Sequence, residues 1–394
     1  MTSALDACPG VLALHAARDG YVARIRLPGG YVSGPRWRAL ADLAVSFGDG
    51  CLDLTSRGNV QLRGIRGDQA EALAQRATDA GLLPSAAHDR ARNIMASPLA
   101  GLGGRTPLRQ LVRRLDAVLL DDPGLAALPG RFLFSVDDGT GGAGLAGCDV
   151  GLRRTGDGVE VIVAGRRTGV RVRAAAAVPV AATAARAAMS RGVGASVARI
   201  AALGDGGESV AAAIGGSLGA AAARADTRLP LGLAAGDVAG DVAGDVAGDV
   251  PRRETMVVGA PLGRLDADQV LLIAALLRPR EIVRMGIAGR LVLPLAGTAA
   301  AGGVRLADAG LLVSGADALA GVTACSGAAC SRAVADVRAV AGPVPGHPRT
   351  HWVGCARQCG CPPDAEAVIA VAGGRFLMPG QDEPEPLATL IGVS

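Results

Sequence analysis

The sequence predicts an α+β protein made of two similar halves related by a pseudo-twofold axis. Three observations carry that prediction. A β-turn-α-β-β pattern at residues 28–64 recurs at residues 261–297, a low-complexity tract at 236–250 lies between the copies, and five of the eight cysteines crowd into residues 324–363.

The first copy is legible element by element. Residues 21–27 alternate like a strand, Pro28, Gly29 and Gly30 turn the chain, and residues 33–47 space Trp37, Leu40, Leu43 and Ala44 along one helical face. Residues 51–54 and 60–65 read as strands joined by the turn Thr55-Ser56-Arg57-Gly58-Asn59, and 67–80 supply a second helix. This is half of a ferredoxin-like sandwich. Residues 261–297 lie on 28–64 without a gap at an offset of 233: Gly30 meets Gly263, Ser33 meets Asp266 as a helix cap, Leu54 meets Ile287, Arg57 meets Arg290 and Leu62 meets Leu295. A duplicated chain places its site between the copies.

Between them, residues 108–120 are helical, 130–136 form a strand ending at Asp137-Asp138-Gly139, 159–172 a hairpin around Gly165, and 174–190 an Ala-rich helix. The tract GDVAGDVAGDVAGDV cannot bury enough surface to offset its ordering entropy and reads as a flexible linker. The expected division is 1–88, 89–235, the linker 236–251, 252–315 and 316–394.

Composition narrows the function. Half of the 394 residues are hydrophobic but only 2% are aromatic, so the core is filled by Ala, Val and Leu, and there is little with which to stack bases. Nucleic acid is excluded as a partner. Every one of the 40 basic residues is Arg, so an anion site here uses planar, permanently charged forks suited to carboxylates. No run of about 20 apolar residues occurs and nothing at the start resembles a signal peptide, so no membrane partner is expected and the expected location is the cytoplasm.

The cysteines point to redox or metal chemistry. Cys325 and Cys330 form one pair, Cys355 and Cys359 another, and Cys361 follows. Four thiolates on two turns can wrap an iron–sulfur cube or one tetrahedral metal. Gaps of four and three residues suit the cube better than the C-x2-C knuckle of structural zinc. Cys8, Cys51 and Cys148 stand alone and read as small buried hydrophobes. His15 and His88 read as structural. His351, four residues before Cys355, is the one histidine placed to touch a cofactor, as an iron ligand or hydrogen-bond donor, against an ordinary structural role.

The segments LTSRGNVQLRG (54–64), RNIMASPLAG (92–101), RFLFSVDDG (131–139), GVTACSGAACSRAVADVRA (321–339) and HWVGCARQCGCP (351–362) resemble, in order, the sulfite/nitrite reductase superfamily. The ADVRA and HWVGC wording is similar to the precorrin-3B synthases of aerobic cobalamin biosynthesis. The resemblance implies a duplicated nitrite/sulfite reductase-like fold, two ferredoxin-like halves plus two cofactor-binding halves, with a [4Fe-4S] cluster on Cys325, Cys330, Cys355 and Cys359. The implied reaction is oxygen-dependent hydroxylation of precorrin-3A with γ-lactone formation, using dioxygen, an electron donor with NADH as reductant, and a mononuclear non-haem iron. The alternative is a sirohaem-dependent reductase of sulfite or nitrite. Substrate carboxylates are expected on Arg57, Arg63, Arg90, Arg92, Asn93 and Arg131; no catalytic residue is assigned. Two departures stand out. The first pair is C-x4-C where the family has C-x5-C, with Cys361 as a spare thiol that could replace a displaced ligand. Leu133 stands where the sirohaem reductases carry a second lysine.

Overall fold

The computed structural model describes residues 8–102, 105–223, 229–234, 254–277, 280–362 and 364–392. The GDVA tract expected to be a linker lies outside these residues.

Among the described residues four five-stranded sheets organise the chain, and they are of two kinds. The first ferredoxin-like sheet runs His15–Ala17, Gly20–Ile25, Val60–Ile65, Cys51–Leu54 and Arg264–Asp266, and its counterpart runs Gly232–Ala234, Thr255–Gly259, Arg290–Pro294, Ile282–Met285 and Tyr31–Ser33. Both are antiparallel throughout. The short strands are exchanged: Tyr31–Ser33 from the first copy closes the second sheet, and Arg264–Asp266 closes the first. Each exchanged strand leads into a helix, Gly34–Phe47 or Ala267–Leu276, and these two helices pack on each other. Asp266 caps its helix with a reciprocal capping box through Gln269, whereas Ser33 occupies the cap position without a side-chain bond.

The exchange makes one core of both copies. Trp37, Leu40, Leu62 and Leu73 from the first copy are buried in the same apolar cluster as Val270, Ile273, Leu291 and Leu306 from the second. The ferredoxin-like units at the two ends of the chain are therefore one body.

The remaining sheets repeat another pattern. Ile94–Ala96, Phe134–Asp137 and Val150–Thr155 are parallel, with Gly158–Val163 and Arg166–Arg173 added antiparallel. Val322–Ala324, Thr350–Val353 and Glu366–Val371 are likewise parallel, with Arg375–Leu377 and Glu385–Pro386 added antiparallel. Loops leaving the carboxyl ends of parallel strands form binding crevices in sheets of this kind. In the second such sheet, Cys325 follows one strand directly and Cys355 leaves the next. Among the described residues no helix is long and apolar enough to cross a membrane.

Candidate functional site

A cavity of about 730 Å³ lies between the first ferredoxin-like sheet and the sheet that carries the cysteines. Cys325, Cys330, Cys355 and Cys359 all line it, as do Arg57, Arg63 and Arg131, so residues some 300 positions apart in sequence face one space.

Each cysteine loop is held by named contacts. Cys325 ends the strand Val322–Ala324, and its Sγ accepts the backbone N–H of Gly327 at 3.5 Å and of Gly354 at 3.3 Å. Gly327 sits at φ +57°, and a Cβ there would lie 2.6 Å from the Asp336 carboxylate, so this turn requires glycine. Gly354 brings the second loop against the first, since a Cβ on it would stand 2.7 Å from the Ala333 side chain. His351 bridges adjacent strands: its Nδ1 is 2.8 Å from Thr323 Oγ1 and its Nε2 is 3.1 Å from the Cys359 carbonyl. A carbonyl only accepts, so Nε2 carries a proton, and the Thr323 hydroxyl stands between Nδ1 and the Thr350 carbonyl, 3.3 Å away. The histidine thus ties the strand Val322–Ala324 to the second cysteine loop.

Burial pushes the Cys359 thiol up, with the neighbouring Cys355, Cys330 and Cys325 adding to that and Arg357 opposing it. The four thiols therefore sense one another. Among the described residues, no three His, Cys, Asp or Glu side chains converge on a point where a single metal ion could sit. Four thiols on two loops around one space supply the donor set of an iron–sulfur cube, one thiolate to each iron. Cys361 stands apart: it is not in the cavity wall, and its thiol lies 3.6 Å from the carbonyls of both Pro362 and Ala365.

The residues expected to hold substrate divide. Arg57 projects from its turn, donating to the Arg131 carbonyl at 3.3 Å; burial, with neighbouring Arg199, lowers its pKa to about 10. Arg63 reaches the cavity wall but is engaged, forked on Asp19 at 3.0 Å twice and donating to Ser326 Oγ at 3.2 Å and the Ala329 carbonyl at 3.0 Å. It fastens the first cysteine loop rather than offering itself to a ligand. Arg90, Arg92 and Asn93 are not in the cavity wall. Arg92 is buried in a fork on Asp116 at 2.7 and 2.8 Å, Asn93 ties Asn59 to the Phe132 carbonyl, and Arg90 packs against Gly10 and Gly130. Helix Arg109–Asp121, which supplies Asp116, is what turns Arg92 inward.

Some wall residues had no signal in sequence. Cys8, expected to be a buried hydrophobe, lines the cavity, with Arg24 Nη1 4.0 Å from its sulfur. It is carried there because Asp89 takes the N–H groups of Val11 and Leu12 at 3.0 and 2.9 Å. Cys148, by contrast, is buried as expected, and burial drives its thiol to about 12. Asp53, Arg338 and Arg24 also line the cavity.

The pseudo-twofold generates a second place of the same design, and it is closed. Gly29, Gly30, Ile287 and Ala96, the counterparts of Leu262, Gly263, Leu54 and Ala324, surround only about 10 Å³. Ser97 takes the place of Cys325 there, with its hydroxyl donated to Asp137 at 3.0 Å. Met95 and Met285 fill the remaining room.

Residues 15–80 match the nitrite/sulfite reductase ferredoxin-like half-domain family. Over residues 15–80 the chain thus carries a ferredoxin-like half-domain of the kind found in nitrite and sulfite reductases. It is 31% identical over 135 residues to a ferredoxin–nitrite reductase of Leptolyngbya laminosa (32% of this chain, 26% of that protein). It is 42% identical over 79 residues to the sulfite reductase [NADPH] hemoprotein beta-component of Acidithiobacillus ferrooxidans (20% and 14%). Over 96 residues it is 35% identical to a precorrin-3B synthase of Sinorhizobium sp (24% and 20%). The matches thus cover about a quarter or less of these relatives' own lengths. The solved structure of Mycobacterium tuberculosis NirA superposes with a TM-score of 0.72 at 18% identity, over 94% of this chain and 79% of that one, so the two share a fold over that span.

Proposed function

We propose that the chain is an oxidoreductase acting on a carboxylated tetrapyrrole, with a [4Fe-4S] cluster on Cys325, Cys330, Cys355 and Cys359, and that its reaction is that of precorrin-3B synthase. The reaction is hydroxylation of precorrin-3A with dioxygen and closure of a γ-lactone, with NADH or another donor supplying electrons. The observation that carries this reading is that both cysteine pairs and the Arg57 turn open onto the same cavity. At about 730 Å³ the cavity lies in the upper part of the roughly 300–1,000 Å³ usual for ligand sites. Guanidinium forks on Arg57, Arg24 and Arg131 suit the carboxylate fringe of such a ligand. Bound there, a cluster supplies the one-electron chemistry that side chains lack.

The chain's own residues bind, orient and hold. His351 and Arg338 fix the cysteine loops by their carbonyls, at 3.1 and 2.8 Å, so the thiols need little rearrangement on ligation. His351 uses both ring nitrogens in doing so, and a mononuclear iron would draw its ligands from other residues.

The second reading, a sirohaem-dependent reductase, is favoured by the longer match to the nitrite reductase, 135 residues against 96. Against it, the chain has no lysine, and Leu133 is buried with its side chain among Met95, Leu145, Cys148 and Ile162, so that position offers an oxyanion no cationic side chain. Anaerobic purification with iron, sulfide and visible spectra separates the two. A broad brown shoulder and conversion of precorrin-3A to the hydroxylactone with dioxygen and NADH are expected. Intense sirohaem bands with sulfite or nitrite reduction would replace this reading with the second.

A further inference from the structure

We infer that Asp53 and Arg338 form a charge pair that positions the Cys325 loop and sets the electrostatic field there. The inference rests on the cluster reading above. Asp53 is the one carboxylate among the described residues that line the cavity. Its Oδ1 lies 3.0 Å from Arg338 Nη1 and 3.5 Å from Arg264 Nη1. Its Oδ2, 4.0 Å from Arg63 Nε, is buried and has no hydrogen-bond partner among the described residues. Charge alone therefore compensates that oxygen, an arrangement that is expensive to bury and that an amide or an apolar side chain would avoid.

Arg338 spends its other edge on the cluster loop, where Nε donates to the Cys325 carbonyl at 2.8 Å. Nη1 makes no hydrogen bond among the described residues, so the guanidinium meets Asp53 by charge and the cysteine loop by its Nε donor, a division between two edges that an ammonium cannot reproduce. One carboxylate and one guanidinium thus connect the strand Cys51–Leu54, which runs into the Arg57 turn, to the backbone of a cysteine. Both are largely shielded, with side chains 6% and 18% exposed, so their charges are weakly screened. Reduction adds negative charge at the thiolates. A fixed anion nearby opposes it and a fixed cation favours it.

The test uses the full chain purified anaerobically, as wild type, Asp53→Asn, Arg338→Met, the double variant and Arg338→Lys. Iron, acid-labile sulfide, the cluster midpoint potential and the rate of iron loss to a chelator are measured for each. The midpoint is expected to rise in Asp53→Asn, fall in Arg338→Met and return toward wild type in the double variant. Iron should leave each single variant about 10-fold faster. Arg338→Lys keeps the charge without the fork, so it should restore the midpoint but not the retention, and it keeps the test readable if Arg338→Met fails to fold. Midpoints that shift in the same direction in both single variants, or wild-type midpoint and retention in both, would overturn the inference. Wild-type protein free of iron and sulfide would instead overturn the cluster reading, and that result is in hand before any variant is compared.

Discussion

Trp37 donates its indole N–H to the backbone carbonyl of Val270 at 3.0 Å, and the two residues occupy the same place in successive copies of one βαββ unit, 233 positions apart. The bond crosses the pseudo-twofold axis, between helices that pack on each other. It is asymmetric because a valine has no donor to return. Trp37→Phe keeps most of the buried surface and loses one hydrogen bond, while the Val270 carbonyl keeps its partner within the helix Ala267–Leu276, at a cost of about 0.5–1.5 kcal/mol. Trp37→Ala adds a cavity and should cost ~3–5 kcal/mol. Denaturant midpoints measure both, and equal midpoints for the two variants would contradict this ranking.

The cysteines should separate into ligands and a bystander. Cys359→Ser is expected to lose nearly all cluster absorbance, iron and sulfide. Cys361→Ser should retain all three, since its thiol is turned to the Pro362 and Ala365 carbonyls. Loss of iron in Cys361→Ser would show that the short C-x4-C loop recruits the spare thiol after all.

Two arginines that look equivalent in sequence should fail differently. Arg57→Leu removes a charge-assisted fork from the cavity and should weaken precorrin-3A binding roughly 10- to 100-fold with the cluster intact. Arg92→Leu strands the Asp116 carboxylate and should cost about 3–5 kcal/mol of stability. An anaerobic titration beside a thermal melt distinguishes them, and a stable Arg92→Leu protein that binds weakly would return Arg92 to the site.

Binding should also carry the signature of Arg57. A guanidinium in water stays charged at any working pH, but burial and neighbouring Arg199 lower the pKa of Arg57 to about 10, and only the charged form pairs with a carboxylate. Affinity is therefore full below that pH and is lost as pH rises through it, while bound ligand shifts the loss to higher pH. Titrations from about pH 9 to about pH 11, roughly one unit either side of that pKa, should show the decline in wild type and not in Arg57→Leu.

Much of this was legible in the sequence for a simple reason. Hydrophobic spacing and glycine turns are local, so the helix Gly34–Phe47, the strands Cys51–Leu54 and Val60–Ile65 and the helix Ala174–Ser190 fall where periodicity puts them. The duplication was visible because both copies keep the same spacing, and the cysteine pairs because thiols are rare and close in sequence. The exchange of Tyr31–Ser33 and Arg264–Asp266 between sheets had no local signal, since a strand's partner is chosen by edges far along the chain.

The arginines mark the boundary most clearly. Sequence determined that any anion site of fixed, permanent charge in this protein must use guanidinium groups, because the chain has no lysine. Which guanidiniums face the cavity was decided by the acids that tertiary structure brought to the rest: Asp116 claims Arg92, Asp19 claims Arg63 and Asp53 claims Arg338, while Arg57 extends into the space between the sheets. An arginine's side chain is long enough to reach several partners, and the nearest buried carboxylate wins because leaving either charge alone in the interior costs more than any exposed contact returns.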